Sequence, residues 1–170
     1  NKILLNWKSK SENKIGYFDI ELLNPISPLF FDDKKKSVSI LAATSILKIL
    51  LPSRQINKNI YHSFENMLEE LKYHNWINLY ILWELALIKQ LGFEISFLKE
   101  KNLINRDNNF IKINNKLVTI PKILINKNME ESSNKLIREA LNFNKELFME
   151  NFIIPNKLIL PSFRNILENY

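Results

Sequence analysis

Three pairs of adjacent acids, Asp32-Asp33, Glu69-Glu70 and Glu130-Glu131, carry the groups that general acid–base chemistry needs. Their spacing argues against it. Neighbours in sequence do not share a helix face, so neither carboxylate can work on the other's substrate. Solvated charge is the reading for all three pairs. His62 and His74 would need distant carboxylates to complete a metal site, and the chain has no cysteine to add. Disulfides, thiolate zinc sites and cysteine nucleophiles are therefore excluded. No serine lies in a Gly-X-Ser-X-Gly elbow. Gly16 and Gly92, the only two glycines, stand too far apart to form a phosphate-cradling loop. The expectation is no catalytic residue, no metal and no cofactor. Glu84 needs its own weighing, because it interrupts the apolar run "YILWELALIKQLGF", Tyr80 to Phe93. As a general acid it has no companion group. As a structural charge it must find a cation on a neighbouring helix, and Arg54, just past Pro52, is a candidate.

The cations point elsewhere. Lys+Arg number 24 against 18 Asp+Glu, a net charge of +6 and a pI near 9.4. That excess permits a polyanionic partner without demanding one. Lysine far outnumbers arginine, and asparagine and isoleucine abound, as expected from AT-rich codon usage. Lys2, Lys8, Lys10 and Lys14 gather near the N-terminus with Trp7 and Tyr17 between them. Cations track a phosphate backbone and aromatic rings stack on unpaired bases, although the same rings serve ordinary strand packing. Lys34, Lys35 and Lys36 form a second cluster, of a kind that is commonly a solvated loop.

These residues have to be held by elements that the pattern predicts. "KILLNWKSK" and "IGYFDIELL" read as two strands around a "SENK" turn, with Lys8, Lys10 and Lys14 near the tip. An isolated hairpin is barely stable in water, so further strands upstream are expected. "NPISP" breaks the chain and marks the candidate domain boundary, giving 1–27 and 28–170. Helices are predicted from Ser37 to Leu51, from Asn57 as cap through Leu71, and from Trp76 to Gly92, where a left-handed residue ends the run. The third is apolar nearly all round and belongs among other helices. "FIKINNKLVTI" reads as two short strands about Asn114-Asn115. Ser132 or Ser133 caps a helix to about Asn151, and Pro161-Ser162 opens a last short helix with Phe163, Ile166, Leu167 and Tyr170 on one face. No stretch is apolar for long enough to span a bilayer, and no signal-peptide pattern opens the chain.

The order of segments resembles the RecO family of recombination mediators, particularly its alphaproteobacterial branch. "ILLNWKSKSENKIGYFDIELL" resembles the last part of that family's N-terminal OB-fold. "FFDDKKKSVSILAATSILKILLPSRQINKNIYHSFENMLEEL" resembles the first helices of its C-terminal domain, with Leu51, Pro52 and Arg54 as the Leu-Pro-X-Arg element. "WINLYILWELALIKQLGF" matches the central helix, and "LIREALNFNKELFMENF" with "LILPSFRNIL" matches the final ones. Many members carry a four-cysteine zinc knuckle after the Gly-aromatic helix end. Phe97 to Leu124 has no cysteine, so the resemblance implies a small hairpin there and no metal.

The resemblance implies a mainly α fold: a helical bundle preceded by the C-terminal strands of an incomplete OB-fold barrel, with a small hairpin inserted. It implies a non-enzymatic DNA-repair protein, cytoplasmic and nucleoid-associated, that binds single- and double-stranded DNA and anneals strands. It implies RecR and the C-terminal tail of single-stranded DNA-binding protein as partners, with help to RecA loading as the outcome. DNA contact then falls to Lys8, Lys10, Lys14, Lys34, Lys35 and Lys36, and the peptide tail to Trp83, Leu87, Lys89 and Phe93. The rival reading is a helical scaffold or interaction domain whose positive charge is only genomic bias. A third is an enzyme whose site lies in an upstream part.

Overall fold

Apolar residues at every second position favour two antiparallel strands, β1 over Lys2–Lys8 and β2 over Tyr17–Asn24. Trp7 lies opposite Phe18, Leu5 opposite Ile20 and Ile3 opposite Leu22, so one face of the hairpin is entirely apolar. The other face carries Leu4, Asn6, Lys8, Tyr17, Asp19 and Glu21. A computed structural model describes residues 1–11, 14–93, 110–114, 116–126 and 133–169. The Glu130-Glu131 pair, Ser132 and Tyr170 lie outside the described residues. The chain forms two compact units, 1–37 and 38–170.

In the first unit a short 3-10 turn, Ser27–Phe30, follows the hairpin. Gly16 sits at the hairpin's tip end, where an added Cβ would collide with the Lys8 carbonyl and the Trp7 indole. Only glycine lets that ring lie over the backbone.

Helix α1 runs Lys34–Leu50. It starts three residues before the predicted Ser37, because Asp33 Oδ1 accepts from the Lys36 N–H at 3.1 Å and caps it. Its buried residues, Ser39, Ala42, Ala43 and Ile46, are spaced as one stripe. Helix α2 spans Lys58–Glu70 and buries Ile60 and Met67. Asn57 stands at its N-cap without lending its side chain.

Helix α3, Trp76–Gln90, is buried on almost every side, as its apolar circumference requires. Gly92 ends it at φ 97°. Its N–H donates to Lys89 O at 3.0 Å and that of Phe93 to Ile88 O at 3.2 Å, the paired bonds of a Schellman cap. Strands β3, Phe110–Ile113, and β4, Lys116–Thr119, pair about Asn114, whose φ of 53° suits a tight hairpin loop.

Helix α4 is Lys122–Asn126, and α5, Asn134–Phe148, packs on α3, α4 and β4. Ser133 caps α5 by accepting from Leu136 N at 3.4 Å. The helix then widens into a π turn over Met149–Ile153 instead of continuing to Asn151 as α. In α6, Ser162–Leu167, the buried residues are Arg164 and Leu167. Of the apolar face read from sequence, Leu167 packs while Phe163 and Ile166 stay partly exposed, and Arg164 joins Leu167 on the buried side.

Candidate nucleic-acid and partner interfaces

Asp19 and Lys8 lie on the polar face of the first hairpin, and Lys8 Nζ donates to Asp19 Oδ2 at 2.7 Å. One predicted DNA contact therefore carries its own counter-ion. Lys10 and Lys14 belong to the tip, where the Lys14 N–H donates to Ser11 O at 3.1 Å and Ser9 Oγ to Ser11 O at 2.6 Å. Trp7 is 55% exposed and packs on Phe18 with ring centroids 5.0 Å apart. Its face holds no charge, whereas Tyr17 shares a face with Lys8.

Lys34, Lys35 and Lys36 occupy the first turn of α1. Cations there oppose the helix dipole, and Asp33 offsets part of that cost. Lys36 Nζ lies 3.7 Å from Asp33 Oδ2 and 5.8 Å from the Phe30 ring centre. The chain reaches these lysines from Asn24, which pairs with Lys2, at the hairpin end opposite Lys8. The length of β1 separates the two ends, ~20 Å at the usual rise. Lys8, Lys10 and Lys14 thus belong to the tip end of the hairpin, whereas Lys34 to Lys36 belong to the first turn of α1.

In the helical unit Trp83 and Leu87 share one buried side of α3, with Leu87 only 1% exposed. Lys89 is exposed, and Phe93 is partly exposed and meets Phe152 edge-on at 4.7 Å. Among the described residues, two of the grooves lie beside this core. One, of about 480 Å³, lies between α2 and α3 with Met67, Leu82 and Trp83 along it and His62 and Glu70 at its rim. The other, of about 780 Å³, lies between the β4–α4 segment and α5. Val118, Ile120 and Phe143 give it apolar walls, and Lys122, Lys135, Glu139 and Glu146 give it charge. Glu146 is paired with Lys116. Sequence reasoning did not bring Lys122 and Lys135 together, because nothing local ties the β4–α4 segment to the start of α5.

Glu84 is fully buried, and its partner is Arg164 rather than Arg54. Arg164 Nε donates to Oε1 at 2.6 Å and Nη2 to Oε2 at 3.0 Å. The same guanidinium reaches Leu141 O at 2.7 Å and Glu168 Oε1 at 2.9 Å. Asn144 Nδ2 donates to Glu84 Oε2 at 3.0 Å. Burial lowers the Arg164 pKa, and Glu84, Tyr80 and Glu168 together more than reverse this, leaving it raised. Burial, then Glu84, holds the Tyr80 phenol well above its ordinary range. The carboxylate is committed on both oxygens, which suits a structural anchor and not proton transfer. Among the described residues no group of His, Asp and Glu is arranged to hold a metal ion, and no helix is long and apolar enough to cross a membrane.

Comparison with known proteins places these features. The family described as recombination protein O, C-terminal, matches residues 32–114. A DNA repair protein RecO from Wolbachia (strain wRi) is 32% identical over 101 residues, covering 58% of this chain and 42% of the relative. The RecO protein of Anaplasma marginale (strain Florida) is 25% identical over 135 residues, 69% of this chain and 56% of its own. That of Caulobacter vibrioides (strain NA1000 / CB15N) is 23% identical over 99 residues, 58% and 41%. The chain spans about half the length of the curated relatives it matches. No solved structure matches. Matched through its first helices and sharing this one description with relatives across several genera, the chain belongs to the RecO family of DNA repair proteins.

Proposed function

We propose that this chain is the working C-terminal part of a recombination mediator that binds DNA, promotes annealing and assists RecA loading together with RecR. The observation that carries the reading is the shared description of its relatives as DNA repair proteins. Its action is attraction without bond-making. Lysines displace counter-ions from phosphates, two strands are held close, and base pairing drives the product. The apolar face of β1–β2, with Ile3, Leu5, Trp7, Phe18, Ile20 and Leu22 all exposed, is the face that further strands of an OB-type barrel would cover. On that arrangement Lys10 and Lys14 at the tip, beside Lys8, meet the backbone.

The tail of single-stranded DNA-binding protein is acidic and ends in an aromatic residue. Of the two grooves, that between β4–α4 and α5 suits it better. Lys122 and Lys135 can meet its acids, and Ile120 and Phe143 its ring. The groove at Trp83 offers Glu70 and no lysine. A helical scaffold without direct DNA binding is the second reading. It is favoured by the Lys8–Asp19 and Lys36–Asp33 pairs, which spend part of the positive charge internally.

Titration of fluorescent single-stranded DNA with the full-length protein separates the two. The mediator reading expects log affinity to fall by ~0.7 per phosphate contacted for each log unit of salt. A Lys10→Glu/Lys14→Glu variant should flatten that slope. No binding at low salt, or affinity indifferent to salt, leaves the scaffold reading. For the peptide, Lys122→Glu/Lys135→Glu should weaken tail binding while Lys89→Glu leaves it unchanged; the reverse result returns the site to α3.

A further inference from the structure

The end of α5 is short of hydrogen-bond donors, and a side chain from the β3–β4 turn makes up the shortage. Ile154 donates its N–H five residues back, to Met149 O at 2.9 Å. That π step takes from the Glu150 carbonyl the i+4 donor it would have in an α-helix. The i+5 donor is missing too, because residue 155 is proline. Asn114 Nδ2 supplies the bond at 3.0 Å, from 36 residues away in sequence. Asn114 is placed to do so by its left-handed backbone, which asparagine tolerates better than most residues. Lys116, two residues on, pairs with Glu146, one turn before Glu150 on the same side of the helix.

We propose that the Asn114 carboxamide selects the π register of residues 149–153 over an α register. Pro155 removes one donor in either case, and the register decides which carbonyl loses it. In an α register Ile154 would return to Glu150 O, and Asn151 O would be the one robbed by Pro155. In the π register Met149 O takes the Ile154 N–H and Asn114 fills Glu150 O. The choice reaches beyond the turn, because the register sets where Phe152 points. Phe152 meets Phe93, the residue after the Gly92 cap of α3, at 4.7 Å, and Phe148 at 6.2 Å. Asn114 is a positioning residue: the hairpin turn fixes the helix end, and the helix end fixes the contact with the end of α3.

The test is the set of scalar couplings across hydrogen bonds in the isotope-labelled full chain. In the native chain Ile154 N–H couples to the Met149 carbonyl carbon, and the Asn114 carboxamide couples to that of Glu150. In Asn114→Gly, which keeps the positive φ while removing the donor, the Ile154 coupling moves to Glu150 and the Phe93–Phe152 ring contacts are lost. Asn114→Asp fills the same space without a donor and is expected to behave alike. Persistence of the Ile154–Met149 coupling in either variant overturns the proposal. Should both variants unfold, a native Asn114 carboxamide that shows no coupling to Glu150 overturns it on its own.

Discussion

Arg164 enters α6 with no exposed atom to spare, and the charge that meets it on two nitrogens is Glu84, 80 residues earlier. Removing one member of such a pair strands the other in the core. Arg164→Met is expected to cost ~3–5 kcal/mol by urea unfolding, whereas the double change Glu84→Leu/Arg164→Met recovers part of that. Recovery is incomplete, because Asn144 Nδ2, Leu141 O and Glu168 each lose a partner as well. A double variant as unstable as the sum of its singles would show that the two side chains do not act as a pair. Tyr80 gives a second residue-scale outcome. Its folded pKa stands well above the ordinary 10.0, so the folded state keeps the proton after the unfolded chain has lost it. Stability from this group is full below pH 10 and falls as pH rises beyond it. In an alkaline absorbance titration one phenolate component should appear only with unfolding, and Tyr80→Phe should remove it. A Tyr80→Phe trace that keeps this late component would refute the assignment.

Elements ended by local chemistry were legible. Gly92 closes α3, Ser133 opens α5, and the Asn114-Asn115 pair marked the second hairpin, because each signal acts within a turn of its own position. Gly92→Ala should therefore cost ~1–2 kcal/mol in thermal unfolding, for the left-handed φ alone, since nothing lies within 4 Å of the added methyl. Gly92→Asn should cost less, and equal losses for the two would mean the cap is not limited by its backbone angle. Gly16→Ala acts differently, because the methyl meets the Lys8 carbonyl and the Trp7 ring. It should shift Trp7 fluorescence and leave the melting of the helical unit unchanged. Elements ended by distant chemistry were not legible. The π turn after Phe148 depends on Asn114, and the buried side of α6 depends on Glu84. No periodicity within "LFMENFIIP" or "PSFRNIL" carries that information.

At the scale of the molecule, the same division separates what the chain can hold alone from what it presents. Among the described residues every buried apolar side chain except Phe30 lies in 38–170. The strands of the first hairpin are exposed along their whole length. The Asp33 cap and the whole of α1 lie within 32–170, and the family match begins at residue 32. A fragment 32–170 is therefore expected to fold cooperatively, with a melting temperature close to that of the full chain, while 1–31 alone stays unfolded by circular dichroism. Loss of cooperativity in 32–170 would mean that the hairpin contributes core after all. The two lysine clusters then fall on different pieces. Lys34, Lys35 and Lys36 stay with the helices, and Lys8, Lys10 and Lys14 leave with the hairpin. If the tip is the polyanion contact, 32–170 loses most of the salt-dependent affinity for single-stranded DNA yet keeps its affinity for the acidic tail peptide. If the first turn of α1 is the contact instead, the fragment retains both, and Lys34→Glu/Lys35→Glu/Lys36→Glu abolishes the first alone. A fragment that binds neither ligand while folding normally would remove both surfaces from the helical unit and place the recognition of DNA and peptide on the hairpin side of residue 32.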